Sequence, residues 1–534
     1  MMDAIKSNKT LLFLFTLYGA LYGICVFANI NSKEFMTIDE NSIVSSLEQL
    51  TTSAFYNMNA TYHSQFYGWT YFSLNFVLIS ILNVIGVDSE IGVNFSIRVV
   101  GFVIGLIVIT LFYKLTTRNV TRTKACILTA FFIVNPVTAH FFNEIHPEML
   151  GVLFQLAAVG VFYNIYVDKK NIKGDFYLAI LFLSLSCLSK QAFVVANTFI
   201  ALSFFILYHL EVKKLQLREF IKIIFFCLIV FFSIFFIIHP YAFIEFDKFF
   251  EAQRFISEEH SSKSFDMVID RWIQEIIGNP LVLINFLLLF SLLWWRKLPL
   301  SYNLSVVFCC LVTSIYVYKS RLWVTDGYFF PIYAFYFFNI FYFINLTCCK
   351  IDKKFRYLIL FTLSLVFLSN LSVSIYEQQK RFFLQSTKTK NIAWEYLKDL
   401  PGSKKVAYSP NIAMPNNLRG NGCHAWQGCN YAKDLEKYDP DIIVYSPSYP
   451  HFNSQEFLHY IDNNNMRLIK EINSSKSSSN YSCQNPSYSK LYVFDYFLLY
   501  QNISSCIGSY INMLDNYTTQ SVVTGLDIEI YENN

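Results

Sequence analysis

Residues 114–124 read KLTTRNVTRTK, with four basic side chains (Lys114, Arg118, Arg122, Lys124) between two apolar runs. Lys and Arg are retained on the cytoplasmic side of a membrane protein, so the side taken by this loop sets the topology of everything before it. A membrane protein is what the composition implies. The chain has 534 residues, is 54% hydrophobic and 18% aromatic, and carries only 15% charged residues. A soluble domain carries about a quarter, so an ordinary soluble globular class is excluded. No nucleic-acid partner is expected; the partners in view are membrane lipids and whatever the lipid face presents.

Apolar stretches suited to crossing about 30 Å of hydrocarbon recur at 11–30, 69–86, 97–114, 125–141, 149–166, 176–189, 192–209, 221–238, 280–295, 302–318, 327–346 and 357–375. From the third run onward, basic clusters fall in every second loop: 114–124, then Lys169/Lys170/Lys173, Lys213/Lys214/Arg218/Lys222, Arg296/Lys297 and Lys350/Lys353/Lys354/Arg356. Lys6 and Lys9 put the amino terminus inside, so 31–68 lies outside. If 69–86 then crossed, the loop 114–124 would emerge on the wrong side. That run is short, interrupted by Ser73, Asn75, Ser80 and Asn83, and ends in Gly86. It is therefore expected to lie along or dip into the outer leaflet. About eleven spans follow, with a long external segment at 31–96. The first run lacks a small-residue cleavage site and reads as an anchor.

Two domains result: a membrane domain over 1–375 and an external domain over 376–534. In the latter, Ile392–Leu400 has helical spacing, Lys405–Tyr408 looks extended and Asp441–Tyr445 is a short buried-type strand, together a small α/β domain. Cys423, Cys429, Cys483 and Cys506 are disulfide candidates there, with Cys423–Cys429 the best pair because its loop is short. A zinc site using His424 is the weaker alternative, since C-x5-C with one His is poor ligand spacing.

This topology gathers polar residues at the outer face: Asp39, Glu40, His63, Gln65 and Arg98; Glu144, His146 and Glu148 in FNEIHPEM; Lys190 in SKQAF; His239 and Tyr241 in HPYAF; Lys319 and Arg321 in YKSRLWVTDGYFFP. Acids and bases converging on one membrane face mark a candidate site. In MTIDENSIV (36–44), Thr37-x-x-Glu40 fits a capping box, followed by an apolar stripe at Ile43, Leu47 and Leu50. Asp39 points about 100° around the helix from its neighbour Glu40. That leaves Asp39 as the candidate general base, the alternative being a solvated acid at a helix N-terminus. Pro147 and Glu148 suit the first turn of a span, or Glu148 binds acceptor hydroxyls or a divalent ion. Nothing near Lys190 in sequence neutralises it, so it either snorkels to headgroups or holds a lipid phosphate.

The order of these motifs resembles the GT-C membrane glycosyltransferases, the superfamily of protein O-mannosyltransferases and the lipid A aminoarabinose transferase. The matching features are Asp39–Glu40 in a long first external segment, NFSIR ending in Arg98, HPE (146–148), SKQ with Lys190, HPYAF and RLWVTDGYFFPIYAF. PDIIVYSP in the tail looks like the tails of many bacterial members. The resemblance covers most of the chain through short motifs whose order is more specific than any one of them. It implies a polytopic GT-C fold of about eleven membrane helices with juxtamembrane helices. It also implies an inverting transfer of a sugar from a polyprenyl-phosphate donor to a hydroxyl on a glycan, lipid or protein.

In that scheme Asp39, with Glu40 beside it, carries catalysis. Lys190, Arg321, Lys319 and Arg98 would bind donor phosphate, and Glu144, His146, Glu148, His63, His239 and Tyr241 the sugar or acceptor. Glu148 stands where many relatives carry Asp, so no metal site carries over; no cofactor is assigned and a divalent metal is left open. The expected location is a bacterial inner membrane, with the site and the C-terminal domain periplasmic. The rivals are an O-antigen polymerase or ligase, and a flippase for lipid-linked oligosaccharides.

Overall fold

The structure is a computed structural model. It describes residues 2–23, 38–52, 56–60, 68–87, 89–143, 146–168, 172–211, 217–260, 279–319, 326–348, 353–384, 388–409, 414–419, 421–424, 432–447, 454–473 and 527–533, with isolated positions between them. The first part is a helical bundle. Helix α1 (Met2–Tyr18) ends in a π turn and is followed by α2 (Ile38–Thr52), α3 (Trp69–Val84), α4 (Ser89–Thr117), α5 (Arg122–Val134) and α6 (Pro136–Asn143). Next come α7 (Glu148–Asp168), α8 (Ile172–Ser189), α9 (Ala192–Glu211), α10 (Leu217–Ile238), α11 (Tyr241–Ile244) and α12 (Phe246–His260). The bundle closes with α13 (Pro280–Leu288), which tightens into a 3₁₀ segment, then α14 (Leu300–Lys319), α15 (Asp326–Cys348) and α16 (Lys353–Leu384).

Among the described residues, six helices are long and apolar enough to cross a membrane: Phe95–Thr117, Glu148–Val167, Ala192–Glu211, Leu300–Tyr318, Phe329–Thr347 and Tyr357–Ile375. The pair α5–α6, bent by 69°, makes up to seven. This is a multi-pass membrane architecture; among the described residues the count of eleven is not reached. Over the described residues the runs at 176–189, 221–238 and 280–295 give the shorter apolar stretches Gly174–Ser189, Phe225–Ile238 and Leu281–Trp294, and the run at 11–30 is described only in part. Helix α3, at 16 residues, is likewise short, about 24 Å against about 30 Å of hydrocarbon.

The bend has a local cause. Pro136 cannot donate a backbone hydrogen bond and forces the residue before it out of the helical region. Asn135 is accordingly extended (φ −68°, ψ 131°), and its side chain caps the next helix by accepting from the Val137 amide at 3.1 Å. The carbonyls left at the end of α5 are met from elsewhere. Tyr22 Oη donates to Ile133 O (2.5 Å) and Ser374 Oγ to Val134 O (2.7 Å). Around this break the core is aromatic, with Phe112 stacked between Phe132 and Phe338 at 4.4 and 4.8 Å.

Helix α16 runs unbroken through Ile375 to Leu384. The chain then forms a five-stranded sheet from β1 (Val406–Tyr408), β2 (Gly422–His424), β3 (Ile442–Tyr445), β4 (Arg467–Ile472) and β5 (Ile528–Glu532), in the order β2-β1-β3-β5-β4. β1 is parallel to β2 and β3, whereas β5 runs antiparallel to β3 and β4. Alternation with period two separates two cores. Val406, Ile442, Val444, Ile528 and Ile530 pack with Ala393 and Leu397 of the helix Lys388–Lys398. Ala407, Ile443 and Tyr445 pack on the opposite face with Leu435, Phe457 and Ile461. Cys423 and Cys429 belong to this second core and are joined by a disulfide.

Candidate functional site

Glu148 opens α7 and is fully buried. A lone buried carboxylate would be expensive, and two partners answer it. His146 Nδ1 lies 2.9 Å from Oε2, and the Lys190 ammonium donates to Oε1. Lys190 comes from the turn between α8 and α9, 42 residues further along the chain, and its side chain keeps 21% exposure. Sequence neighbours do not neutralise Lys190; Glu148 does.

A glycine lets the two segments meet. Gly151 lies one turn into α7, and a Cβ there would sit 2.5 Å from Phe193 Cε2. Because that Cβ is absent, the Phe193 ring lies flat against the backbone of α7, and Ser186 Oγ donates to Gly151 O at 2.8 Å. The turn carrying Lys190 is thereby drawn over Glu148. The next residue, Gln191, bonds Gln253 of α12, so the same turn is anchored on both sides.

A second polar centre sits beside the first. His239 follows α10 and is fully buried, with its ring 5.6 Å from Trp69, 5.8 Å from Phe235 and 5.7 Å from Phe249. Neither ring nitrogen has a hydrogen-bond partner among the described residues, and the same holds for Trp69 Nε1. Burial pushes the His239 imidazole down to about 4, so it is neutral at ordinary pH. Gly68 and Trp69 join the two centres. Gly68 precedes α3 with φ +80°, a left-handed conformation that favours glycine, and a Cβ there would lie 3.7 Å from Pro147 Cβ. The adjacent Trp69 contacts His239. Tyr241 begins α11, and its carbonyl accepts from Asn59 Nδ2 at 2.9 Å.

The remaining candidates are placed as follows. Arg98 is buried on α4, two residues from Ser96, whose hydroxyl donates to Asn75 Oδ1 of α3 at 3.0 Å. Asp39 and Glu40 lie in the first turn of α2, whose Ile43, Leu47 and Leu50 are buried. The side chains of Asp39 and Glu40 are outside the described residues, as are Thr37, His63, Gln65, Glu144, Arg321, Cys483, Cys506 and the side chain of Lys319.

Trp69, Gly68 and Gly151 did not stand out in the sequence. The available signals were the Gly-Trp step in YGWTYF, and a glycine in the first turn of an apolar helix directly after HPEM.

Among the described residues no group of three or more His, Cys, Asp or Glu side chains could hold a metal ion. Both Glu148 oxygens are already engaged, one by an ammonium, and no step is derived through a metal.

No protein-family model matches the sequence, and no curated protein matches it. In three dimensions the chain is similar to the oligosaccharyltransferase of Archaeoglobus fulgidus, crystallised in complex with zinc and sulfate, with a TM-score of 0.50 and 10% sequence identity. The match covers 98% of this chain and 88% of that one. What is shared is the fold.

Proposed function

We propose that this chain is a membrane glycosyltransferase that moves a sugar from a polyprenyl-phosphate donor to an acceptor hydroxyl, with inversion. The observation that carries the reading is the likeness of fold to an oligosaccharyltransferase along nearly the whole chain. The motif order and the buried Glu148–Lys190–His146 group support it.

In this reaction the acceptor oxygen attacks the anomeric carbon in line. Its proton passes to the Asp39 carboxylate, the new C–O bond forms, and the bond from the anomeric carbon to the phosphate oxygen breaks. Polyprenyl phosphate departs with the electron pair. Phosphate is a good leaving group, so a base and a source of positive charge suffice, and no acid is needed. Arg321, Lys319 and Arg98 supply that charge, and Lys190, balanced by Glu148, adds hydrogen-bond donors to the phosphate. Glu148 acts as a positioning residue. With both oxygens engaged it is not the base, and it holds the Lys190 ammonium and the His146 ring in place. His239, Tyr241, His63 and Glu144 line the sugar and acceptor side, with Glu40 adjoining Asp39. The acceptor assigned is an envelope glycan, lipid or protein at the periplasmic face of a bacterial inner membrane.

The test is transfer by membranes expressing wild type or Asp39→Asn, offered a set of radiolabelled polyprenyl-phosphate sugars, with folding checked on the tagged protein. Wild type is expected to use one donor, and the equally folded variant to be slower by at least about a hundredfold. Equal transfer by both would remove Asp39 as the base. No transfer by either would sink the reading.

A further inference from the structure

The end of the bundle opposite Lys190 holds a cavity of about 270 Å³ that sugar transfer does not use. Its walls come from α4, α7, α9, α14 and α15, and include Val159, Tyr163, Phe204, Tyr302, Phe338 and Tyr342. None of its lining side chains is charged. Five of the six helices able to cross a membrane line it, at the end that the positive-inside rule assigns to the cytoplasm.

Two exposed cations flank it. The Arg118 guanidinium lies 5.1 Å from the centre of the Tyr163 ring and donates to Gly160 O at 3.2 Å. Tyr163 itself lines the cavity and donates through its hydroxyl to Asn119 Oδ1, another lining residue, at 3.2 Å. Lys124 donates to Asn345 Oδ1, one turn beyond the lining residue Tyr342. An Arg has five N–H donors and a Lys three, so each contact leaves capacity for phosphate oxygens.

We infer that this is a binding site for an anionic glycerophospholipid of the adjacent leaflet, with its phosphate between Arg118 and Lys124 and part of an acyl chain in the cavity. The chemistry decides the occupant. Uncharged, mainly apolar walls favour hydrocarbon over a polar solute, and two cations near the cavity select a head that is negative overall. The assignment does not depend on the sugar-transfer reading.

Native mass spectrometry of the purified full chain tests it, with phosphatidylglycerol, phosphatidylcholine of the same acyl chains, and polyprenyl phosphate as probes. Phosphatidylglycerol is expected to be retained over phosphatidylcholine. Arg118→Gln and Lys124→Gln should each lower that retention by about fivefold. Ser305→Trp, which fills the cavity, should abolish it while both charges remain. Ser203→Phe serves the same purpose if Ser305→Trp fails to fold by gel filtration. Equal retention of the two phospholipids would overturn the inference. So would undiminished phosphatidylglycerol on the cavity-filled protein, which would mean surface attraction alone, or preferential retention of polyprenyl phosphate.

Discussion

Glu148 and His239 are both fully buried, and both lie beside the Gly68–Trp69 step, yet their surroundings differ. Glu148 has a partner on each oxygen, one of them a full positive charge. His239 sits among aromatic rings with neither nitrogen bonded among the described residues, next to a Trp whose N–H is in the same condition. The first arrangement spends its polar capacity within the protein and stiffens it. The second keeps donors and an acceptor in a water-poor nest, where a hydroxyl-rich ligand would be the missing partner.

The largest way to break this contrast is Glu148→Gln. It leaves the Lys190 charge without its counter-charge, and a loss of about 3–5 kcal/mol is expected in the unfolding of the detergent-solubilised chain. Adding Lys190→Met should recover much of the loss. An unchanged double mutant would mean that the two side chains do not interact.

The next effect is a pH dependence belonging to His239. Its folded pKa of about 4 lies below the ordinary 6.5, so the folded protein keeps it neutral while the unfolded chain takes up a proton. Its contribution is therefore complete above pH 6.5 and falls as pH drops from 6.5 towards 4, by about 3 kcal/mol over the window. His239→Phe should flatten that part of the profile. A variant with the same acid sensitivity as wild type would place the titrating group elsewhere.

The smallest is Gly151→Ala, whose added methyl meets Phe193 at 2.5 Å and should destabilise by about 1–3 kcal/mol. Because that contact seats Lys190, the sugar-transfer rate should fall with it. Phe193→Leu on the same background should restore both, and failure of both to recover would separate the packing from the site.

How far these features could be read in advance varied with their range. Glu148, His146 and Lys190 were visible as polar residues interrupting apolar runs. Their grouping was not, because it rests on a close approach between helices decided by a glycine at 151 and a ring at 193. The strand at DIIVY and the extended 405–408 stretch were legible from local pattern, since a buried strand needs only a short apolar run. The break at Pro136 was not, since it falls inside the run 125–141, which hydropathy treats as continuous. Trp69 is one of several aromatics in its segment, and no local pattern sets it apart.

The two carbonyls at the α5–α6 break have a consequence for how the chain assembles. Ile133 O takes its hydrogen bond from a residue 111 positions earlier, but Val134 O takes its from one 240 positions later. An unpaired carbonyl in hydrocarbon costs several kcal/mol. During synthesis the break is therefore half completed as soon as it emerges, and the other half waits until the last long membrane helix has entered. Ser374 makes the closing bond of the bundle, and a chain truncated before it inserts its helices in order but leaves this break open to lipid or water.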